Sequence, residues 1–331
     1  MKAKRKKKWV IIAAVATAVL LIVYWILIYF LVSAALVPSF MEKLDAFEDI
    51  TVESYSQQVQ TEDIIQNEEE ELNLAVEWFR SHQPEKVGIV SEDGYRLIAA
   101  KFLQEEESNK WALLLHGYTG IKEEMYTYAY WYYQEGFNIL VPDLRCQGES
   151  DGDFIGMGYT DCDDCMLWLH SIIEENQNAE VIIHGESMGA ATALIMTGDS
   201  RLPKNVKAVI SDCAYTDAYS MFKNKCKEWF HLPSFPIVDS ACLMLKLRGG
   251  YDLKKASAIE AVKRSKTPTI FIHGDQDALI DVGMSKELYE AAACKKELWI
   301  VEGAGHAQSC NKDPEAYYEH ISRFIEEYIS E

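Results

Sequence analysis

Apolar and polar positions follow different patterns in successive parts of the chain, and four segments can be distinguished. A short basic run precedes a long run without any charge, and an acidic, helix-prone stretch comes next. The rest of the chain alternates short apolar runs with longer amphipathic stretches. The pattern predicts a basic cytoplasmic tail (1–8), a transmembrane helix (9–36), an acidic helical stalk (37–85) and one large domain (86–331).

The long apolar run is sufficient to cross a bilayer as a helix. A spanning helix needs about 20 apolar residues, and residues 9–36 exceed this length without one charged side chain. Cleavable signal peptides have an apolar region of only about 7–15 residues, so the length favours an uncleaved signal anchor. Because basic residues stay on the cytoplasmic side, the Lys and Arg residues before the helix predict a cytoplasmic N-terminus and an extracytoplasmic domain.

The large domain begins with a predicted β-hairpin and continues as an alternation of strands and helices. Residues 87–90 and 96–102 flank the turn sequence Glu92-Asp93-Gly94, which is typical of a hairpin. Apolar strands separated by helix-length segments predict a mostly parallel sheet covered by helices on both faces. The further predicted strands are 111–115, 138–141, 181–184, 208–211, 269–273 and 298–301. The predicted helices are 126–135, 160–175, 190–197, 285–293 and 314–328.

Composition excludes some partners and leaves others open. The chain has 52 acidic and 32 basic residues and a formal net charge of −20, so nucleic acid and anionic lipid surfaces are poor partners for the large domain. Eight cysteines could pair in an extracytoplasmic domain, and the sequence leaves their pairing open. Cys162 and Cys165 have C-x-x-C spacing, but without a second such pair or a histidine pair no zinc site is expected.

A serine lies on a predicted turn between a strand and a helix. The sequence Gly185-Glu186-Ser187-Met188-Gly189 separates the apolar run 181–184 from the helix-like run 190–197. In a G-x-S-x-G turn of this kind the backbone bends so sharply that the flanking positions tolerate little beyond hydrogen, and the serine hydroxyl is lifted away from the sheet. Ser187 is therefore the predicted nucleophile.

Two further side chains complete the predicted chemistry, because a nucleophilic serine needs a base and a group that orients the base. Of the eight histidines, only His306 lies in a loop after the last predicted strand. Asp277, after the penultimate strand, fits best as the orienting acid, and the chain order Ser187, Asp277, His306 is the order that this architecture requires. Rival carboxylates are Asp212, Asp275 and Asp281.

Two backbone N–H groups are the predicted donors to an oxyanion. One donor usually belongs to the residue after the nucleophile and the other to the loop after the third strand. These positions are Met188 and Tyr118. The prediction depends on backbone position alone, because residues of almost any type supply an N–H group.

Six motifs in a fixed order resemble those of the α/β-hydrolase superfamily. The motifs are His116-Gly117-Tyr118-Thr119-Gly120, Pro142-Asp143-Leu144-Arg145, Gly148-Glu149-Ser150, Gly185-Glu186-Ser187-Met188-Gly189, His273-Gly274 with Asp277, and Gly305-His306. The resemblance extends from about Lys86 to the C-terminus. It is greatest to the serine esterase and lipase-like group with an S9/S33 peptidase-like core, although Cys146 stands where many relatives carry glycine or alanine.

The resemblance implies an α/β-hydrolase fold with a small helical lid at about 214–266. This segment is longer than a simple crossover requires and is rich in aromatic residues, which suit an apolar acyl or aryl group or simply pack the lid down. We name residues 214–266 the lid segment.

These observations predict a membrane-anchored serine hydrolase that cleaves a carboxylic ester through an acyl-enzyme. Its substrate would be a small-molecule or lipid-like acyl compound, and neither a cofactor nor a metal is expected. A serine peptidase, an amidase or a thioesterase of the same fold is the alternative, and a non-catalytic, membrane-tethered binding protein is less favoured. A haloalkane dehalogenase or epoxide hydrolase is disfavoured because those enzymes use aspartate where Ser187 stands. The sequence leaves the substrate and the oligomeric state open.

Overall fold

The computed structural model describes residues 2–41, 58–228 and 231–329. Residues 42–57 of the predicted stalk lie outside the described residues. Two positions of the lid segment, Trp229 and Phe230, also lie outside them.

Eight strands of the described residues form one mixed sheet. They are β1 Glu85–Val90, β2 Arg96–Phe102, β3 Lys110–Leu115, β4 Asn138–Pro142, β5 Glu180–Glu186, β6 Val206–Asp212, β7 Thr269–Gly274 and β8 Lys296–Val301. Their order across the sheet is β1-β2-β4-β3-β5-β6-β7-β8. The pairs β1–β2 and β2–β4 are antiparallel and the others are parallel. Every predicted strand is present, and the predicted fold class is confirmed.

Helices before, between and after the strands complete the fold. They are α1 Lys2–Leu36, α2 Pro38–Met41, α3 Glu62–Ser81, α4 Tyr126–Gln134, α5 Tyr159–Glu175, α6 Met188–Thr197, α7 Ala218–Glu228, α8 Ser234–Arg248, α9 Ala258–Val262, α10 Val282–Ala291, α11 Ser309–Lys312 and α12 Pro314–Ile325. The predicted helices of the domain are all present. The last one ends at Ile325 and not at 328, because residues 326–328 form a turn.

The central strands are apolar on both faces because helices cover the sheet on both sides. In β5, Val181 and Ile183 pack into one apolar cluster, and Ile182 packs into the other. The side chains of a strand alternate between its two faces, so each face of the sheet has its own core. A shift of one residue in strand pairing would exchange these faces, and the two cores therefore specify the register that positions the loops at the strand ends.

Helix α3, within the predicted stalk, docks on the domain. Trp78 of this helix is buried against Phe102 and Tyr133, with ring centroids 4.8 and 5.3 Å apart. The acidic residues at 68–70 remain exposed. The amphipathic pattern of α3 therefore buries an apolar face on the sheet side and solvates its carboxylates.

Helix α1 is long and apolar enough to cross a membrane, with a mean hydropathy of 2.8 over its most apolar window. Its residues from Arg5 to Val23 are exposed, whereas Ile28, Val32 and Leu36 are buried against the domain. Since lipid would cover the exposed part, the helix divides into a part suited to a bilayer and a final part that belongs to the protein.

The lid segment between β6 and β7 contains three of the helices, and they pack differently. Helices α7 and α8 pack against each other, and α8 also packs against the end of α1. Helix α9 packs against α6, the helix that follows Ser187. The first two helices are therefore additions to the fold, and the third serves as the crossover between parallel strands.

Candidate active site

Ser187 occupies a sharp turn between β5 and α6, with a backbone φ of 52°. A Cβ atom on Gly185 would lie 2.3 Å from the carbonyl oxygen of Gly189, and one on Gly189 would lie 2.0 Å from that of Leu115. Both distances are far shorter than van der Waals contact. Only glycine fits at these two positions, and the left-handed backbone at Ser187 is held by the strand and the helix on either side.

The structure brings the three predicted side chains together at the carboxyl ends of β5, β7 and β8. The Ser187 hydroxyl donates a hydrogen bond to Nε2 of His306 over 3.0 Å, and Nδ1 of His306 donates to Oδ2 of Asp277 over 2.7 Å. Ser187 and His306 are each 8% exposed. The chain Ser187–His306–Asp277 has the hydrogen-bond order of a nucleophile, its base and the group that orients the base.

Asp277 is held as a carboxylate by the donors that surround it. Its Oδ1 accepts the backbone N–H groups of Leu279 and Ile280, each over 2.8 Å, and its Oδ2 also lies 3.0 Å from Nε2 of His273. Burial alone would favour the neutral acid, but His306 and His273 outweigh it and hold the pKa of Asp277 well below its usual value. The residue therefore carries its negative charge at any physiological pH.

The rival carboxylates have other partners in the structure. Asp212 accepts hydrogen bonds from Ser309 and Tyr317, each over 3.0 Å. Asp275 accepts the N–H of Gly303, and Asp281 caps α10 through the N–H of Gly283, each over 2.7 Å. Among the four, Asp277 is the carboxylate that hydrogen-bonds to His306.

Two other histidines at strand ends, His116 and His184, form hydrogen bonds within the folded domain. Nε2 of His116 accepts the N–H of Leu144 over 2.9 Å, and burial lowers the pKa of His116 to about 4. His184 lies between the hydroxyls of Tyr132 and Tyr317, and burial lowers its pKa to about 3. Both rings are therefore neutral, and their hydrogen-bond partners are Leu144 for His116 and two tyrosines for His184.

Both predicted oxyanion donors lie next to Ser187. The N–H of Met188 is in the first turn of α6, where amide groups have no acceptor within the helix. Tyr118 follows Gly117, and a Cβ atom on Gly117 would lie only 3.7 Å from that of Ser187. The hydroxyl of Tyr118 donates to the carbonyl oxygen of Ala35 in α1. This last contact connects the loop after β3 to the N-terminal helix and has no signal in the sequence.

A half-buried carboxyl group beside the nucleophile also escapes sequence reasoning. Glu186 fills a variable position of the G-x-S-x-G pattern, but its side chain is only partly exposed and accepts a hydrogen bond from Tyr128 over 3.1 Å. Burial, with Asp212 nearby, raises the pKa of Glu186 to about 8. The only signal in the sequence is a charged residue that directly follows an apolar strand.

Glutamine at position 186 is expected to remove a pH dependence of stability. The folded protein holds the proton of Glu186 more tightly than the unfolded chain, whose pKa is near 4.5. Stability from this group is therefore complete below pH 4.5 and is lost as the pH rises towards 8. Glu186→Gln should match wild type at pH 5 and exceed its free energy of unfolding by about 3 kcal/mol at pH 9.

Thermal unfolding of detergent-solubilised protein at the two pH values measures this difference. Glu174→Gln is the matched control, because Glu174 is exposed and its charge faces solvent. A Glu186→Gln protein that gained no stability relative to wild type between pH 5 and pH 9 would contradict the half-buried, protonated state of Glu186.

The cysteines and a group of three possible metal ligands were compared with the arrangement around Ser187. All eight cysteines lie within the described ranges and are free, and Cys162 and Cys165 are buried on α5. Cys213, Asp277 and His306 place possible ligand atoms within 4.8 Å of one another. However, His306 and Asp277 already bond to each other, and burial raises the pKa of Cys213 well above its usual value, which keeps the thiol neutral. The arrangement fits a hydrogen-bonded triad better than a metal site.

Comparisons with known proteins agree with this architecture. Residues 111–236 match the family model described as alpha/beta hydrolase fold. The chain is 29% identical over 266 residues to the uncharacterized protein YqkD of Bacillus subtilis, which covers 80% of this chain and 87% of that protein.

Two solved structures share the fold at low sequence identity. The esterase Pf2001 of Pyrococcus furiosus superposes with a TM-score of 0.62 and 22% identity, covering 76% of this chain and 94% of the esterase. The acylaminoacyl peptidase of Pyrococcus horikoshii superposes with a TM-score of 0.57 and 19% identity, covering 74% of this chain and 41% of the peptidase.

Proposed function

Because the chain belongs to the α/β-hydrolase superfamily, whose fold supports hydrolase activity, we propose that it is a serine hydrolase whose preferred bond is a carboxylic ester. The observation that carries the proposal is the continuous hydrogen-bond chain from Ser187 through His306 to Asp277, with distances of 3.0 and 2.7 Å. Each of the three residues comes from the loop after a different strand. Such a constellation is recognised by its geometry and by the roles of its members.

In the proposed mechanism, Ser187 Oγ attacks the acyl carbon while Nε2 of His306 takes the hydroxyl proton. The oxygen of the carbonyl group becomes an oxyanion that accepts hydrogen bonds from the N–H groups of Met188 and Tyr118. The alcohol leaves with the proton from His306, and an acyl-enzyme remains. Water then attacks the acyl carbon, with His306 as the base once more, and releases the acid and free Ser187. Asp277 stays ionised and stabilises the imidazolium form of His306 throughout.

An ester is preferred over an amide for two reasons. The chain matches nearly the whole length of an esterase, 94%, but only 41% of the acylaminoacyl peptidase. Alcohols are also better leaving groups than amines, so a bare triad without dedicated groups for an amine cleaves esters more readily. A peptidase, an amidase or a thioesterase is the second candidate, and a substrate panel separates these activities.

The proposal also places the enzyme at a membrane, with α1 as a signal anchor. The exposed part of α1 is apolar and follows the basic residues Lys6, Lys7 and Lys8. Since basic residues stay in the cytoplasm, the domain that carries Ser187 lies on the other side of the membrane.

One labelling experiment tests the nucleophile and the topology together. Cells that express the full chain are treated with a sulfonated fluorophosphonate, which reacts with activated serines but does not cross membranes. We expect labelling of intact cells, with the adduct mapped to Ser187 by mass spectrometry. The purified protein should hydrolyse p-nitrophenyl esters faster than the matching anilides.

The outcomes are distinguishable. Labelling that requires permeabilised cells would show that the domain faces the cytoplasm, against the proposed topology. It would still support Ser187 as the nucleophile. Folded protein that takes up no label in either state would support a binding protein without catalysis. Faster cleavage of anilides or thioesters than of esters would replace the proposed bond by one of the alternatives.

A further inference from the structure

The end of α1 and the lid helix α8 form one packed unit. The Tyr24 hydroxyl donates to Oγ of Ser240 over 2.7 Å, and Nη1 of Arg248 donates to Oγ of Ser33 over 2.9 Å. The Arg248 guanidinium also lies 4.0 Å from the centre of the Tyr29 ring. Contacts at the middle and at the end of α8 mean that the two helices run side by side, so the position of α1 and the position of α8 depend on each other.

The lid helix begins at the level where the bilayer would end. The apolar stretch of α1 that is exposed without a break runs from Trp9 to Val23, about 22 Å at 1.5 Å per residue, which accounts for most of the ~30 Å hydrocarbon thickness of a bilayer. The Tyr24 hydroxyl lies 3.4 Å from the carbonyl oxygen of Pro236, so the first turn of α8 lies where this exposed stretch ends. Phe235 and Leu247 of α8 are 75% and 74% exposed and extend the apolar surface of the helix.

A cavity of about 140 Å³ lies between the last turns of α1 and the helices α7 and α8. Its walls include Val32, Ala35, Phe222, Ile237, Ala241 and Leu245. Lys225 is the charged side chain in this lining, and its Nζ donates to Oε2 of Glu228 over 2.7 Å and to the carbonyl oxygen of Ala278 over 3.2 Å. Because the ammonium group is held by these acceptors, the cavity offers a ligand almost only apolar contacts.

Two walls of the cavity are connected to the proposed catalytic groups. Ala35 accepts the hydrogen bond of Tyr118, whose loop lies against Ser187. On the other side, Lys225 contacts the carbonyl group of Ala278, the residue after Asp277. The cavity therefore lies between the lid helices and the end of α1, and its walls contact the loops that carry Tyr118 and Asp277.

We propose that this cavity is a subsite for the acyl chain of a bilayer lipid ester, with the end of the membrane anchor as one of its walls. The inference depends on the proposed function for its chemistry, since the ester group must reach Ser187. An apolar cavity of about 150 Å³ stays dry and binds benzene, so this one holds about six carbons. The chain enters from the adjacent leaflet, because α1 and α8 meet at the edge of the bilayer.

The first test is the dependence of hydrolysis on acyl length. Burying one methylene group is worth about a fourfold gain in kcat/KM, so wild type in lipid nanodiscs should prefer hexanoyl to acetyl p-nitrophenyl ester, which differ by four methylene groups, by about 250-fold. Ala241→Phe fills the cavity and should lower this ratio at least tenfold. Leu243→Phe is the matched control, because Leu243 lies two residues away on the exposed face of α8 and the substitution should leave the ratio unchanged.

The second test does not require catalysis. A monoacylglycerol with a diazirine at the end of its acyl chain is incorporated into nanodiscs with the Ser187→Ala protein and photolysed. We expect crosslinks to peptides of the α1 end and of α8, with at least fivefold fewer crosslinks in Ser187→Ala combined with Ala241→Phe.

The two tests separate the subsite from the enzyme. Crosslinks at α1 and α8 without any ester hydrolysis would support the acyl-chain subsite and contradict the proposed function. Ester hydrolysis by wild type, with an unchanged hexanoyl to acetyl ratio in folded Ala241→Phe and no crosslinks at these helices, would overturn the subsite alone. Crosslinks confined to the exposed part of α1 would likewise overturn it, because they would place the chain in the bilayer and not in the cavity.

Discussion

Alanine at position 187 is expected to lower kcat for ester hydrolysis by about 10⁶-fold, the loss typical of removing a serine nucleophile from a working triad. The Ser187 hydroxyl is the one that donates to Nε2 of His306, and without it no acyl-enzyme can form. His306 and Asp277 would stay hydrogen-bonded to each other, so the substitution should remove the chemistry and leave the fold intact.

Kinetics with p-nitrophenyl acetate, together with fluorophosphonate labelling, measure this loss. Ser211→Ala is the matched control: Ser211 is also buried, on the neighbouring strand β6, and its hydroxyl has no hydrogen-bond partner among the described residues. Removing an unpaired hydroxyl has little cost, so the control should keep activity within about threefold. A Ser187→Ala protein that retained a hundredth of wild-type activity would contradict the role of Ser187.

Asparagine at position 277 is expected to lower kcat by about 10⁴-fold with little change in KM. Asp277 Oδ2 accepts from both His306 and His273, while its Oδ1 accepts two backbone N–H groups. An amide can accept on one side only, so its NH₂ group would meet the N–H of His306 and force the wrong tautomer or a rotated ring. The negative charge that stabilises the imidazolium form of His306 would also be lost.

The controls for this variant are the carboxylates that the sequence leaves as rivals. Asp281→Asn should keep nearly full activity, because asparagine caps a helix as well as aspartate does. Asp275→Asn should do the same, since an amide oxygen can still accept the N–H of Gly303. Steady-state kinetics near pH 8 on these three variants and on Asp212→Asn decide the assignment. Activity of Asp277→Asn within tenfold of wild type, with a large loss in Asp212→Asn, would transfer the role to Asp212.

Much of the fold could be predicted because its signals are local. Apolar runs of strand length, the helix-length segments between them and the glycines of the turn at Ser187 all lie within short windows of the chain. Helix ends were less predictable: α12 ends at Ile325, three residues before the predicted end, since the apolar pattern continues through Tyr328 into a turn.

The sequence by itself determined the fold class, the order of the candidate triad along the chain and the presence of a helix able to span a membrane. Tertiary structure alone decided which carboxylate meets His306, because all four candidates follow strands at one edge of the sheet and loop conformation selects Asp277. It also divided α1 into an exposed part and a final part that packs against the domain. A protein core and a bilayer favour the same apolar side chains, so hydrophobicity alone cannot distinguish the exposed residues of α1 from those that line the cavity beside α7 and α8.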